Sequence, residues 1–328
     1  MKAPPISIVT PVYNGGPYLN ECIRSVLAQD FGDWEYIIIN NCSTDDSLAI
    51  AQSYAERDPR IRVVNNDAFV PVGENHNIAF RSISPDSQYC KVVSADDFIY
   101  PTCVGKMVRF ARSHPSAGIV GSYQLSGTNV KWRGLPETVD VLSGRDACRL
   151  GLLEGIHVFG NPTSVLYRSD LLRMNHAFFP HGDAHADTSA CYRSLQHCDF
   201  GFLHEVLSVE RVHPGQISAK VDQLSAGTTA YLEGLLDYGP LYLTEQELVA
   251  RKKELLDGYY RFLGGCCLKL KSREFWEFQS SRMRELDSGI NWLRVGGAAV
   301  REVLVEMKHP VNAFEKLMAV MRQKCLRA

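Results

Sequence analysis

The sequence predicts an α/β domain with a mostly parallel sheet, followed by a helical C-terminal region. Short β-branched runs alternate with stretches in which apolar residues recur at helical spacing. Each strand-like run ends in a polar loop, and beyond Asp222 only the helical spacing is found. We therefore assign residues 1–220 to the α/β domain and residues 221–328 to a helical appendage.

The first strands and helices alternate in order along the chain. The segment Ile6–Asn14 is a β-branched run that ends at a proline and an Asn-Gly-Gly loop, and apolar residues from Tyr18 to Gln29 predict an amphipathic helix. Further strands are predicted at Trp34–Ile39, Arg62–Val64 and Tyr89–Ser94, with helices from a Ser43 or Thr44 cap through Ala55 and over Gly73–Phe80. Because the carboxyl ends of parallel strands meet at one edge, the loops at 11–14, 40–45 and 96–97 should form a site.

Two adjacent carboxylates, Asp96 and Asp97, end the buried strand that contains Val92 and Val93. Neighbouring carboxylates are costly to leave unpaired, and Mg²⁺ or Mn²⁺ commonly binds one or two carboxylates together with substrate phosphates. The sequence therefore predicts a divalent cation here. The alternative is that Asp97 caps a helix that runs through Cys103–Met107.

The second part of the α/β domain carries two further polar segments. A helix at Lys106–His114 and a strand at Ala117–Tyr123 precede Trp132, which has a cation on either side and is either a sugar-stacking residue or a loop anchor. A loop entering a strand at 157–168 is followed by 181–193, in which two acids and two histidines occur within seven residues. Their spacing fits no standard zinc motif.

Composition excludes several functional classes. The net charge of −2 argues against general nucleic-acid binding, which requires clustered positive charge. Ten cysteines without a CxxC pair are typical of free thiols in a reducing cytosol, and the N-terminus lacks an apolar signal core. No run of 18 apolar residues occurs. We expect a cytoplasmic protein.

Four motifs in order resemble family 2 glycosyltransferases of the GT-A fold, a Rossmann-like α/β architecture. They are Thr10–Asn14 after strand one, Asn40–Asp45 after strand two, Asn75–Asn77 before the acid-bearing strand, and Asp96–Asp97. The resemblance covers residues 6–101 most clearly and continues to about Ser218. It implies an inverting transfer of a sugar from a nucleoside diphosphate donor, with UDP favoured, to an acceptor hydroxyl.

The resemblance also assigns roles to residues. Asp187 matches the acid that serves as general base, with Asp183 as the alternative, and a helix cap is the structural reading of Asp187. Mn²⁺ or Mg²⁺ would be held by Asp96, Asp97 and His213. The residues expected to bind the nucleotide sugar are Pro11, Tyr13, Asn14, Asn40, Asn41, Ser43, Asn75, His76, Asp96 and Arg211.

Four positions depart from the family pattern. Asn40 and Asn41 occupy a loop that usually opens with Asp, and His76 stands where an arginine is usual. Ser94 replaces a third Asp, and Ala186 replaces the Glu before the base. These lost charges leave open a nucleotide-sugar binding protein without transferase activity. A nucleotidyltransferase is disfavoured because no Gly-rich phosphate loop with Arg and Lys occurs near the N-terminus.

The C-terminal region predicts helices around 231–236, over 245–269, near 272–286 and 298–307, and over Val311–Cys325. The last helix is cationic and apolar, so it either lies on an anionic membrane face or docks on its own domain or a second subunit of a homo-oligomer. The processive Gln-x-x-Arg-Trp signature is absent. We expect one sugar to be added to a saccharide or lipid-linked acceptor, in cell-surface polysaccharide or glycolipid synthesis.

Overall fold

The computed structural model describes residues 5–183, 185–213, 215–216, 223–269 and 271–308. The chain divides into two compact units, Met1–His213 and Pro214–Ala328. The predicted domain boundary between residues 220 and 221 lies outside the described residues. The predicted helix Val311–Cys325 lies outside them as well.

A mixed sheet forms the centre of the first unit. Its strands are β1 (Ile6–Val12), β2 (Trp34–Asn40), β3 (Ile61–Asn65), β4 (Tyr89–Val92), β5 (Phe98–Ile99), β6 (Ala117–Ser126), β7 (Asn129–Lys131), β8 (Val141–Leu142), β9 (Val165–Arg168) and β10 (Asp199–Glu210). The order is β3-β2-β1-β4-β9-β6-β10-β5, with β7 paired to β6 and β8 to β10. Strands β3, β2, β1 and β4 are parallel, as are β6 and β10, whereas β9 is antiparallel to both of its neighbours. This architecture confirms the predicted α/β class with a mostly parallel sheet.

Helices connect the strands of this unit. They are α1 (Gly16–Leu27), α2 (Ser47–Ala55), α3 (Val72–Arg81), α4 (Cys103–Ser113), α5 (Gly144–Arg149), α6 (Ser169–Met174) and α7 (Ala186–Ser194). In α1 a proline occupies the first turn, where its missing N–H costs nothing, and the buried residues recur at three- and four-residue spacing. Helix α1 therefore packs one apolar stripe against the sheet, as its sequence pattern predicts.

Strand register brings the loops of the predicted site to one edge. Val12 at the end of β1 lies beside Asn40 at the end of β2, and Val9 lies beside Val92 at the end of β4. The Thr10 hydroxyl joins β1 to the segment after β4 by donating to the Val93 carbonyl at 2.8 Å. The loops after β1, β2 and β4 thus leave the sheet side by side.

Two predicted helix caps are replaced by other contacts. Helix α2 begins after Asp46 rather than after Ser43 or Thr44, because those two residues bond to Asn14 in the neighbouring loop. Helix α4 begins at Cys103 with Thr102 at the cap position, so the alternative role of Asp97 as a helix cap is not realised.

The second unit consists of helices in the residues that the structure describes. They are α8 (Gly227–Tyr242), α9 (Glu245–Leu268), α10 (Arg273–Leu286) and α11 (Trp292–Lys308). Helix α9 begins with a reciprocal capping box between Thr244 and Glu247. Leu232, Leu263, Phe275, Met283 and Val295 lie in a shared apolar core. Across the described part of the chain, every helix is too short or too polar to traverse a bilayer.

Candidate active site

The loops after β1 and β2 hold each other through reciprocal hydrogen bonds. The Asn14 backbone N–H donates to Ser43 Oγ at 3.0 Å, and Asn14 Oδ1 accepts from the Thr44 backbone N–H at 2.8 Å. Asn14 adopts a left-handed backbone with φ of 51°, which asparagine tolerates better than most residues. Pro11 is buried inside β1, whereas Tyr13 is exposed and meets the Phe69 ring edge at 4.9 Å. The predicted donor loop is therefore preformed, with Tyr13 as its exposed ring.

Five asparagines form a neutral network at the ends of β2 and β3. Asn40 Nδ2 donates to Asn65 Oδ1 at 2.6 Å, and Asn66 Nδ2 donates to both Asn41 and Asn75 at 3.0 Å. Asn41 also brackets the Val70 backbone, accepting from its N–H and donating to its carbonyl. Asn40 Oδ1 is a buried acceptor without a partner among the described atoms. Asn41 and Asn75 thus support the loop, and Asn40 is buried at the end of β2.

The sequence analysis did not identify Asn65 and Asn66 as residues of the site. Their signal was the Asn-Asn pair that follows strand three, as Asn40 and Asn41 follow strand two. The parallel register sets Asn40 directly beside Asn65, which converts two separate loops into one network.

Cys42 has a left-handed backbone with φ of 55°, and its thiol donates to the Asn66 carbonyl at 3.2 Å. That conformation costs an L-residue about 1–2 kcal/mol, whereas glycine adopts it freely but loses more entropy on folding. Replacing Cys42 by Gly is expected to raise the free energy of unfolding by about 0.5–1 kcal/mol in urea denaturation. Cys42→Ala removes the thiol but keeps the strained backbone, so it should give no gain. Equal stabilisation by both substitutions would contradict a backbone origin.

The two adjacent acids point to different environments. Asp97 is 3% exposed, with Oδ2 accepting from the Thr163 hydroxyl at 2.6 Å and Oδ1 from the Arg211 backbone N–H at 3.3 Å. Burial raises the pKa of Asp97 to about 7. Asp96 is partly exposed, and its Oδ2 lies 3.2 Å from His213 Nε2. The structure therefore pairs Asp96 with His213, and it uses both oxygens of Asp97 for internal hydrogen bonds.

Thr163 donates a hydrogen bond to the buried carboxylate of Asp97. It precedes β9, and its hydroxyl oxygen also accepts from the Ser94 backbone N–H at 3.1 Å. Its carbonyl accepts from the ammonium of Lys91, a fully buried lysine on β4 that also donates to the Val165 carbonyl. Burial lowers the pKa of Lys91. The segment before β9 is thereby joined to β4 and to the acid pair.

Arg211 and His213 both reach the ring of Tyr18 on α1. The guanidinium of Arg211 lies over the Tyr18 and Phe98 rings at 5.5 and 5.2 Å and forms an ion pair with Glu21. The His213 imidazole stacks against Tyr18 with ring centroids 4.6 Å apart. Tyr18 and Glu21 were missed from the sequence because their positions on α1 are typical of an ordinary amphipathic helix. The Arg211 side chain is thus held in place by one acid and two rings.

Asp187 lies in the first turn of α7, where a negative charge is favoured by the helix dipole. The cap position belongs to His185, and Asp187 Oδ1 accepts from the Thr188 backbone N–H at 2.8 Å. The carboxylate is half-exposed. His76 and His157 lie within its electrostatic influence, and burial lowers the pKa of both imidazoles, which are neutral at pH 7. Asp187 is thus an accessible carboxylate with two neutral imidazoles near it.

His76, Arg193 and Trp132 have structural contacts. The His76 ring lies 5.2 Å from the Phe179 ring, and its Nδ1 lies 2.9 Å from the Val72 carbonyl. Arg193 donates to the backbone carbonyls that precede α7. Trp132 has a left-handed backbone, donates through Nε1 to the buried Gln124 Oε1 at 3.2 Å, and meets the His157 ring edge-on at 6.4 Å. Trp132 is therefore anchored, as the alternative interpretation proposed, and it contacts a neighbour of Asp187.

No group of three or more His, Cys, Asp or Glu side chains is arranged to hold a metal ion within the parts of the chain described. Asp96 and His213 supply one carboxylate and one imidazole on a partly exposed surface. A cation bound there would take its remaining ligands from water or substrate oxygens, as Mg²⁺ and Mn²⁺ usually do at phosphate sites.

The chain matches one family model and is similar to known glycosyltransferases. A family model described as "Glycosyl transferase family 2" matches residues 7–174. The chain is 30% identical to the uncharacterized glycosyltransferase YibD of Escherichia coli over 191 residues, which are 56% of this chain and 54% of YibD. The matched segment thus spans about half the length of that relative.

Two solved structures share the fold. The crystal structure of Staphylococcus aureus TarS 1–349 in complex with UDP-GlcNAc matches with a TM-score of 0.61 and 18% identity, covering 86% of this chain and 81% of that chain. The mannosyltransferase PcManGT from Pyrobaculum calidifontis, in complex with GDP-Man and Mn²⁺, matches with a TM-score of 0.53 and 14% identity, covering 92% and 87%. At these identities the likeness establishes the fold alone.

Proposed function

The chain belongs to glycosyltransferase family 2, as its motifs predicted, and from that premise we propose that it transfers a single sugar from a nucleoside diphosphate sugar to an acceptor hydroxyl with inversion. The acceptor that we propose is a saccharide or a lipid-linked saccharide. The observation that carries the proposal is the combination of the Asp96 and His213 pair with an accessible carboxylate, Asp187, at the start of α7.

The proposed reaction is a single displacement. The acceptor oxygen forms a bond to the sugar C1 while the bond from C1 to the diphosphate oxygen breaks, and the electron pair leaves with the diphosphate. Asp187 takes the proton of the acceptor hydroxyl as that bond forms. Its accessible position in the first turn of α7 supports this role.

A divalent cation fits the residues beside the proposed diphosphate position. Asp96 and His213, 3.2 Å apart, are a donor set that suits Mn²⁺ or Mg²⁺, and Asp97 as a third ligand stays a prediction. When bound, the cation would neutralise charge on the departing diphosphate. Arg211 is proposed to orient the phosphates, sharing its guanidinium between Glu21 and the donor.

A uracil base is the favoured nucleotide. Asn40 lies in the loop where relatives carry an Asp that accepts from the base, and an amide oxygen can accept in the same way. The TarS structure contains UDP-GlcNAc, which supports a UDP-sugar, whereas PcManGT contains GDP-Man and makes guanine the alternative.

The donor can be identified by thermal shift. A panel of UDP- and GDP-sugars is added with and without Mn²⁺, and the correct donor at a hundred times its dissociation constant should raise the free energy of unfolding by about 2.7 kcal/mol. Release of UDP by slow donor hydrolysis then reports turnover. A panel in which no nucleotide sugar stabilises the protein would contradict the proposal.

A binding protein without transferase activity is the second candidate. Its support is the loss of charge at Asn40, His76, Ser94 and Ala186, and Ala186 is a buried residue at the first position of α7. Tight donor binding with no hydrolysis and no transfer to any acceptor would favour it.

A cytoplasmic location and membrane recruitment by residues 311–325 also stay predictions.

A further inference from the structure

Asn77 is a buried amide of the Asn75–Asn77 motif, and its hydrogen bonds reach a distant segment of the chain. It lies on α3 and is 1% exposed. Its Oδ1 accepts from the Phe179 backbone N–H at 2.9 Å, and its Nδ2 donates to the Phe179 carbonyl at 2.9 Å. Both backbone groups of a buried residue are thereby satisfied by one side chain. Asn77 therefore ties α3 to residues 177–179, which we call the connecting segment.

The connecting segment is also bound by α7, the helix that carries Asp187. Arg193 on α7 donates to the Ala177 carbonyl at 3.2 Å and to the Phe178 carbonyl. These two carbonyls directly precede the residue that Asn77 holds. The connecting segment thus joins α3 to α7 through side-chain bonds from both helices.

Aromatic packing fixes the connecting segment on α3 in orientation as well as in position. The Phe80 ring of α3 meets the Phe178 and Phe179 rings nearly perpendicular, with centroids 5.3 and 5.1 Å apart. All three rings are 3% exposed, and edge-to-face pairs of this kind have a preferred geometry. His76, the neighbour of Asn77, lies within the electrostatic influence of Asp187. The Asp187 carboxylate is therefore close to α3.

Helix α3 is also tied to the predicted donor loops. Asn75 accepts from Asn66 Nδ2 at 3.0 Å, and Asn41 brackets the Val70 backbone in the loop before the helix begins. A continuous path of contacts runs from the end of β2 through α3 and the connecting segment to α7. This path sets where Asp187 stands relative to the donor loops.

We propose that Asn77 is a positioning residue for Asp187. It holds the connecting segment, and through Arg193 the helix α7, so that the Asp187 carboxylate stands at the acceptor hydroxyl. The inference rests on the proposed function, in which Asp187 is the base. Placement matters because a displacement of about 1 Å, caused by a mutation far from the reacting atoms, can lower the rate by about 10²-fold.

The test is a double-mutant cycle measured by steady-state sugar transfer. Asn77→Ala should lower kcat by about 10²-fold and leave the donor dissociation constant unchanged. In the Asp187→Asn background the same substitution should cost almost nothing further, because residues that act as a unit have non-additive effects. Arg193→Met removes the other attachment of the connecting segment and should behave in the same way. If circular dichroism shows that Asn77→Ala does not fold, the Arg193→Met cycle decides the question.

Gln29→Ala is the matched control. Gln29 is a 9% exposed amide in the same unit that donates to the Tyr100 carbonyl and accepts from the Val104 backbone N–H, both at 2.9 Å. Its loss should lower the melting temperature as Asn77→Ala does, but leave kcat unchanged.

Two results would overturn the positioning role while the enzyme is active. One is a kcat for Asn77→Ala as high as that of Gln29→Ala, and the other is a loss that multiplies in full with that of Asp187→Asn. A wild type that transfers no sugar is a different result, since it would overturn the proposed function and the positioning role with it.

Discussion

Replacing Asp187 by Asn is expected to lower the rate of sugar transfer by about 10²–10⁴-fold, the usual contribution of a general base. The amide keeps the shape of the carboxylate and can still accept from the Thr188 backbone N–H, so α7 should form normally. Donor binding should be unchanged, because Asp187 is proposed to act on the acceptor. The measurement is steady-state transfer with the donor identified by thermal shift, together with the donor dissociation constant of each variant.

Asp183→Asn is the control for that experiment. Asp183 lies four residues earlier and accepts from the His185 backbone N–H at 2.7 Å, so its loss alters the same loop without removing the proposed base. We expect transfer to be affected only slightly. A severe loss in Asp183→Asn with normal transfer in Asp187→Asn would move the base to Asp183.

Replacing Asp96 by Asn should lower transfer by about 10²–10³-fold and weaken the dependence on Mn²⁺. Asp96 is partly exposed and contacts His213, so the fold should survive its loss. Adding a chelator to the wild type should reproduce most of the defect, and restoring Mn²⁺ should reverse it. The measurements are transfer rate against Mn²⁺ concentration and thermal stability for each variant.

Asp97→Asn separates the roles of the two acids. Because both Asp97 oxygens accept from protein donors, we expect a smaller effect on the Mn²⁺ dependence than in Asp96→Asn. If the two variants lose Mn²⁺ dependence equally, Asp97 is also a ligand, as the sequence predicted. Wild-type transfer that persists in full after metal removal would exclude a metal role for the pair.

The ends of the strands that precede the predicted donor-binding loops were predictable, because their sequence signals are local. A β-branched run that stops at a polar loop defines β1, β2 and β4 within one or two residues, and parallel pairing then brings Asn14, Asn40 and Asp96 to one edge. The helical character of 223–308 followed in the same way from apolar spacing.

The different contacts of Asp96 and Asp97 were not predictable from local sequence. It depends on Thr163, which is 66 residues from Asp97 along the chain, and on the backbone of Arg211, which is 114 residues away. The asparagine network has the same origin, since Asn65 joins Asn40 only through strand register. Contacts of this kind depend on tertiary structure, which periodicity does not encode.

The bonds of Thr163 also bear on which acceptors can be used. The Thr163 hydroxyl donates to Asp97 and accepts from the Ser94 backbone N–H, and the Thr163 carbonyl accepts from Lys91. These bonds tie the segment before β9 to the strand and loop that carry the acid pair. The predicted donor side and the predicted acceptor side are therefore at a set distance before any substrate enters. Fixed spacing of this kind would spend no binding energy on assembly, and it would resist widening for a bulky acceptor. We expect acceptors to be discriminated by their size at the reacting end, with tolerance for variation further from it.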